Sequence, residues 1–444
     1  MMTWDALLDC RRLGEPARGV PDSSLRSDFQ GDFDRIVFSS AFRKMQGKTQ
    51  VFPLPESDFA HTRLTHSMEV SCVARSLGRI ASQKLPELRA RTDDVGALVA
   101  AAALAHDIGN PPFGHSGEDA IADFFRGEEG FKYLANLDEA QREDLLRYEG
   151  NALGFRIIGR TKPTASRRPG GMGLTHATLA AFAKYPRASW PRGDRLKVSE
   201  KKFGFFQSEA ATFEAVASAT GLQNKADHAW CRHPLAFLME AADDICYRLI
   251  DLEDAVRLEL VPIDAARRHL LSILQLNNEF PNLERLGSII DRYEQLAYLR
   301  AKAINSLIAQ VVDIFVANVD AILAGEFETP LLDLAPSNPE LKKIRQVMTE
   351  FVYPDRTVIA IEAAGFEVLG GLLAEFLAAA WNDGGTRRSA KVLALVSPEY
   401  LEPRHDSDDH YAVIMAFAEF VAAMTDTSAI DLFRILRGIE LPTY

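Results

Sequence analysis

An imidazole and a carboxylate stand side by side at His106–Asp107, where a long apolar run from Val95 to Leu104 ends. Gly109-Asn110-Pro111-Pro112 follows at once and stops the helix that this run predicts. Leaving two polar groups unsatisfied in such surroundings costs roughly 2–7 kcal/mol each, so something must bind them. A metal ion is the obvious candidate. His66 begins an amphipathic stretch, and alone it would more often be a satisfied structural residue. Asp243 is one of two adjacent carboxylates that interrupt the apolar helix after His233. With His106 and Asp107 these two complete a set of two nitrogen and two oxygen ligands. Two carboxylates neutralise one divalent cation, and mixed imidazole–carboxylate ligation suits Mn, Fe, Co, Ni or Zn, with Mg tolerated through substrate oxygens.

Further residues could act beside such a metal. His115 and Glu118 are three apart, and if a helix begins here they meet across one turn. A carboxylate there fixes the imidazole tautomer and raises its pKa, as a proton donor requires. Asp243, Tyr247 and Asp251 stand at i, i+4 and i+8, one helix face drifting by about 40° per step. Arg63, three residues before His66, can grip phosphate oxygens in bidentate fashion, and Lys184 is a second candidate phosphate contact. Arg43, Lys48, Lys201 and Lys202 are further cations that surface charge explains equally well.

The elements that must position these groups are almost all helical. Apolar spacing at i, i+3, i+4 and i+7, or Ala/Leu-rich runs, predict helices over 66–84, 95–107, 116–126, 235–258, 303–325, 358–382 and 411–437. Alternating patterns are scarce, with Lys48–Phe52 and Lys197–Phe206 as the plausible short ribbons. The expected fold is all-α, with at most short β-ribbons. It divides into an N-terminal arm and substrate-contacting segment (1–60), a central helical domain (61–255) and a helical C-terminal region (256–444), integrated in one globular unit. Pro/Gly-rich insertions at 53–55, 163–173 and 186–193 are expected on the surface.

Composition bounds the function class. The chain has 444 residues, 47% hydrophobic and 25% charged, which is ordinary for a globular protein. The longest apolar runs read as too short to span a bilayer, no leader pattern opens the sequence, and a cytoplasmic protein without a membrane partner is expected. Cys10, Cys72, Cys231 and Cys246 show no C-x-x-C spacing and are expected to be buried free thiols. The formal charge of −12 is uneven: residues 159–204 carry eleven Lys/Arg against Asp194 and Glu200, a net +9, leaving −21 elsewhere. Such a block suggests a bound polyanion, and Tyr185 and Trp190 could stack on single-stranded nucleic acid there.

The order His66…His106-Asp107…Asp243 resembles the HD superfamily of metal phosphohydrolases. Surrounding words narrow the resemblance: Lys-Thr-Gln-Val-Phe-Pro at 48–53, Thr-Arg-Leu-Thr-His at 62–66, His-Asp-Ile-Gly-Asn-Pro-Pro-Phe-Gly-His at 106–115, Tyr-Glu-Gly-Asn at 148–151 and Glu-Ala-Ala-Asp-Asp-Ile at 240–245. All are similar to the bacterial dGTP triphosphohydrolase (dNTPase) family, from about Asp34 to Asp254, with a weaker echo in Met424-Thr425-Asp426. Asn110 and Tyr148 stand where eukaryotic relatives have histidine, which sets aside those enzymes' allosteric regulation.

The resemblance implies an HD-domain helical fold with a helical C-terminal extension and one divalent metal on His66, His106, Asp107 and Asp243. It implies His115 and Glu118 as the catalytic dyad, with His115 as general acid or nucleophile activator. Arg63, Lys184 and Asn151 would contact phosphates and Gln50 the nucleoside. Tyr247 and Asp251 would contact the sugar, Asp251 accepting from the 3′-hydroxyl and Tyr247 crowding a 2′-hydroxyl. The implied reaction converts a dNTP, dGTP or several, to deoxynucleoside and inorganic tripolyphosphate, in a homo-oligomer that is often a hexamer. The alternatives are another HD-type nucleotide phosphohydrolase, acting on a nucleoside monophosphate or cyclic phosphodiester, and a protein that binds nucleotides or single-stranded nucleic acid.

Overall fold

The computed structural model describes residues 1–14, 26–50, 61–160, 171–194, 197–381, 385–405 and 409–440. The helices that carry the site are α1 (Asp28–Val37), α2 (Arg63–Lys84), α3 (Thr92–Ala105), α4 (Gly114–Arg126), α5 (Gly150–Ile158), α6 (His176–Phe182), α7 (Pro234–Arg257), α8 (Arg292–Ala317), α9 (Arg356–Trp381), α10 (His410–Ala422) and α11 (Asp426–Leu436). Among the described residues the one sheet is an antiparallel pair, β1 (Asn224–Ala226) with β2 (Ala229–Trp230), and the fold is all-α.

Helix α3 is the central rod. Its Ala-rich sequence leaves no polar face after Asp94, and every side chain from Leu98 to Ala105 is buried. Burying Leu98, Val99 and Leu104 contributes roughly 1.5–3 kcal/mol each. α2 starts earlier than its apolar period suggests, because Thr62 and Thr65 form a reciprocal cap that draws Arg63 into the first turn. Its buried positions 63, 66, 70, 73, 77 and 81 follow the helical repeat, while Ser71, which donates to the Ala100 carbonyl, and Gly78, which lies against Val95 and Val99, meet α3.

Two apolar cores result. One gathers α2, α3, α7 and α8, and the other gathers α4, α9 and α10. The turn 106–113 bridges them, with Ile108 in the first and Phe113 in the second.

Several expectations are corrected. The helix read as 303–325 begins at Arg292, capped by Asp291, and breaks at Asn318, whose amide donates to the Ile314 carbonyl at 2.7 Å. The stretch 411–437 is two helices bent by 111°, because Thr425 and Ser428 cap a new start. Neither expected ribbon is a strand among the described residues. Thr49 makes a single bridge to Thr62 and Phe205 one to Ala188, while residues 51–52 lie outside the description.

Of the N-terminal arm, Met2, Trp4, Leu7 and Leu8 are built into the first core. Gly171, Pro191 and Arg192 are exposed as expected, Pro186–Ser189 are buried rather than on the surface, and 53–55 and 163–170 lie outside the description. Cys231 and Cys246 are buried free thiols, Cys10 is half-buried and Cys72 is exposed. Helix α9 is long and apolar enough to cross a bilayer by length and composition, although Glu362, Glu367 and Glu375 keep its uninterrupted apolar runs short. One face of it, including Leu369, Leu372, Leu373 and Phe376, is fully buried in the second core.

Candidate active site

The chain brings His66, His106 and Asp107 together at the ends of α2 and α3, with one ligand atom of each within 4.8 Å of the others. Asp243, from the middle of α7, places Oδ1 3.2 Å from His66 Nε2 and 3.4 Å from His106 Nε2. A metal with bonds of about 2.1 Å sets neighbouring ligand atoms about 3 Å apart, which Asp243 meets toward both histidines, while the group that closes within 4.8 Å is His66, His106 and Asp107. The tautomer fits too. His106 Nδ1 donates to the Ala103 carbonyl at 2.7 Å and turns the Nε2 lone pair toward the carboxylates. Of the adjacent carboxylates, Asp244 faces Arg248 at 3.8 Å, and burial raises it to about 7.

Two cations sit on the ligand carboxylates. Arg63 Nη1 lies 2.9 Å from Asp107 Oδ2, and Lys184 Nζ lies 2.5 Å from Asp243 Oδ2. Burial alone would raise Asp107, but His106 and Arg63 outweigh it and hold the carboxyl at about 2. Burial also opposes the charge of Asp243, yet Lys184 and His106 keep it well below the carboxylate range. Arg232 holds the backbone under Lys184, its Nε donating to the Lys184 carbonyl at 2.5 Å and its guanidinium pairing with Glu240.

The second half of the site opens from the metal turn. Phe113 and Gly114 adopt φ of 64° and 61°, and α4 starts there. Glycine is required at 114, because a Cβ would stand 2.6 Å from the Arg63 guanidinium in a backbone region L-residues avoid. His115 Nδ1 then meets Glu118 Oε2 at 2.9 Å, with the imidazole 77% exposed and Glu118 buried. Glu118 Oε1 accepts from the Gly150 amide at 2.8 Å, at the start of α5. Gly109 permits that approach, since a Cβ on it would fall 1.8 Å from the Gly150 carbonyl oxygen. Lys202 lies 3.5 Å from Glu118 and 3.0 Å from Glu149, and Glu149 accepts from the Asn151 amide at 2.7 Å. Burial pushes Glu118 up, but His115 and Lys202 prevail and lower it, while burial and the Glu118 charge raise Glu149.

Along α7 the remaining candidates behave differently. Asp251 is buried, its Oδ2 has no hydrogen-bond partner, and burial and Asp254 raise its pKa far above the carboxylate range. Gln50 likewise buries an unpartnered Oε1. The Tyr247 hydroxyl is hydrogen-bonded to that of Tyr353. A separate cavity of about 370 Å³, lined by Asn277, Gln310, Asp313 and Asn318 among others, shares none of these residues.

Sequence reasoning missed Tyr353, which lies 106 positions from its partner and carries no motif. It left Lys48 equally open to a phosphate contact or to surface charge, whereas Lys48 is buried and donates to the carbonyls of Asn110 and Ala422 at 2.6 and 2.8 Å. Its place in the 48–53 word was the available signal. The basic block also reads differently in three dimensions. Arg160 pairs with Glu419, Lys184 with Asp243, Arg187 and Lys197 with Glu200, Arg192 with Glu143, and Lys202 with Glu118 and Glu149. Lys162, Arg167, Arg168 and Arg195 lie outside the described residues.

Comparison with known proteins agrees with this geometry. Residues 63–155 match the HD domain family model. A deoxyguanosinetriphosphate triphosphohydrolase-like protein of Synechocystis sp. is 42% identical, over 99% of this chain and 100% of the relative. Proteins of the same name from Pseudomonas aeruginosa and Listeria innocua are 38% and 34% identical, over 100% and 99% of this chain and the whole of each relative. By this full-length identity the chain belongs to the deoxyguanosinetriphosphate triphosphohydrolase-like family of HD-domain proteins.

Proposed function

We propose that this protein hydrolyses deoxynucleoside triphosphates at the α-phosphorus, releasing the deoxynucleoside and inorganic tripolyphosphate. The observation that carries the reading is Asp251, a buried acceptor with an unpartnered oxygen two turns beyond Asp243 on the same helix. A buried carboxyl oxygen needs a donor, and a sugar hydroxyl is the group that an HD site for nucleotides would bring to it. Tyr247 lies between the two, held by Tyr353.

His66, His106, Asp107 and Asp243 would hold one divalent ion, which supplies positive charge to an α-phosphate oxygen. Arg63 and Lys184 bind the phosphates, exchanging their carboxylate partners for phosphate oxygens as the nucleotide enters. Phosphoryl transfer depends mainly on such positioning and charge. Glu118 holds the Nδ1 proton of His115, so Nε2 faces the open site and moves the proton of the reaction. Gln50 orients the nucleoside, and Asn151 joins the phosphate contacts when it leaves Glu149. We extend the reading to a homo-oligomer, which light scattering on the purified chain tests.

The deciding assay incubates the protein with each dNTP and Mn²⁺ or Mg²⁺ and resolves the phosphate products. Tripolyphosphate with free deoxynucleoside is the expected result. Pyrophosphate or orthophosphate as the first product would overturn the assigned bond.

A further inference from the structure

Lys48 and Asp426, 378 positions apart in the chain, close on the same turn from opposite sides. Lys48 is 6% exposed and Asp426 1% exposed. Lys48 Nζ donates to the Asn110 carbonyl, just after the helix stop, and to the Ala422 carbonyl, at the end of α10. Ala422 ends α10, where a helix leaves carbonyls without internal partners, and Asn110 lies in the turn between α3 and α4, so one side chain ties the two segments together. Asp426 Oδ2 accepts from the Thr49 amide at 2.9 Å and the Thr49 hydroxyl at 2.6 Å, and its Oδ1 accepts from the Phe113 amide at 3.2 Å. The two strands of chain are in van der Waals contact here, because a Cβ on Gly47 would fall 2.7 Å from the Thr425 methyl.

Each partner leads directly to a site residue. Asn110 Nδ2 donates to Asp107 Oδ1 at 2.5 Å. Phe113, in its left-handed conformation, sets the direction from which His115 enters α4. Thr49 precedes Gln50, and the Lys48 carbonyl accepts from the Arg63 amide at 3.0 Å. We propose that Lys48 and Asp426 are positioning residues of the active site. Lys48 sets the Asn110–Asp107 arm, and Asp426 sets Phe113–His115 together with Thr49–Gln50. The C-terminal corner between α10 and α11 therefore takes part in the reaction without touching substrate.

The division of labour separates this role from general support of the fold. Neither residue touches a metal ligand, yet they reach different halves of the site. Lys48→Met removes the donor to Asn110 and frees the Asp107 arm. Mn²⁺ affinity of the nucleotide-free protein, read by electron paramagnetic resonance of free Mn²⁺, is expected to fall about tenfold, the scale for groups that orient metal ligands. Asp426→Asn keeps the shape but must turn an NH₂ toward either Phe113 N–H or the Thr49 donors. Here kcat is expected to fall about 10–100-fold and KM to rise, with Mn²⁺ affinity within about threefold of wild type.

Circular dichroism and thermal unfolding accompany each variant. Wild-type Mn²⁺ affinity in Lys48→Met together with wild-type kcat in Asp426→Asn would overturn the proposal. Parallel loss of Mn²⁺ affinity and kcat in both variants, tracking thermal stability, would reduce the pair to structural support and overturn it too. If Asp426→Asn does not fold, Thr49→Val removes one donor from Asp426. A KM raised by more than kcat is lowered supports the assignment, and a wild-type KM overturns it. The inference rests on the reading of 106–115 as the active turn. Its Mn²⁺ arm uses no nucleotide, so a wild-type protein that binds Mn²⁺ but leaves dNTPs intact would sink the proposed reaction and leave the Lys48 assignment standing.

Discussion

Lys184 forms an ion pair with Asp243, its Nζ 2.5 Å from Oδ2, so a cation suited to phosphate rests on a carboxylate suited to metal. Burial opposes the lysine charge, but Asp243 outweighs burial and holds Lys184 above its ordinary range. Under the proposed function, metal would take Asp243 from this pair and phosphate would take Lys184. Lys184→Met should therefore act in two directions. Mn²⁺ should bind the nucleotide-free protein more tightly, since a repelling charge has gone. KM for dNTP should rise about tenfold or more, the loss of one charge-assisted contact of about 1.5–3 kcal/mol. Calorimetric Mn²⁺ titration and steady-state kinetics read the two effects, and a KM equal to wild type would remove Lys184 from the phosphate contacts.

Asp251 sets activity against stability. Its Oδ2 is buried without a partner, and burial favours the protonated form. Asp251→Asn removes the latent charge and should raise the thermal midpoint by a few degrees. The same change should lower kcat/KM for dNTPs about 10–100-fold. A 3′-deoxy analogue should be a poor substrate for the wild type, and the penalty for losing that hydroxyl should shrink in the variant. An equal penalty in both proteins would place the 3′-hydroxyl elsewhere.

His115 carries the exposed end of a buried network, with Glu118 held by the Gly150 amide and Lys202. His115→Ala is expected to lower kcat about 10²–10⁴-fold while Mn²⁺ affinity stays near wild type. Glu118→Gln should show a smaller loss, since it keeps a partner for Nδ1 but not the charge. Rapid-quench measurement of the first turnover checks that the lost step is chemistry and not product release.

His61 provides a pH test away from the metal. Its Nδ1 meets Asp254 at 2.7 Å and its Nε2 lies 3.4 Å from Glu69, tying the start of α2 to α7. Asp254 and then Glu69 raise its pKa from 6.5 to about 10. A raised histidine pKa stabilises the fold fully below the unfolded value of 6.5, and the contribution fades as pH climbs through about 10. His61→Gln should therefore cost stability at pH 6 and close to none above pH 10. Chemical denaturation across that range measures it, and a pH-independent difference would mean that the ring acts by packing alone.

The sequence by itself determined the candidate ligand types, the helical character and the local stops. His106 and Asp107 follow an Ala-rich helix that has no polar face, and the Pro-Pro stop beside them acts within a few residues. Five short words were enough to identify the family, because each holds a local geometry: a cap at Thr62, a helix end at Ala105, a left-handed entry at Phe113. Only the tertiary structure set Asp243 against His66 and Asp244 against Arg248, paired Tyr247 with Tyr353 and placed Lys48 and Asp426 on one turn. The basic block changed meaning for the same reason, since its described ion-paired cations are met mostly by acids from outside the block. Helical periodicity reports which face is buried and is silent on which distant group will meet it there. That choice belongs to packing, where a buried charge or hydrogen-bonding group must find its partner wherever the chain brings one.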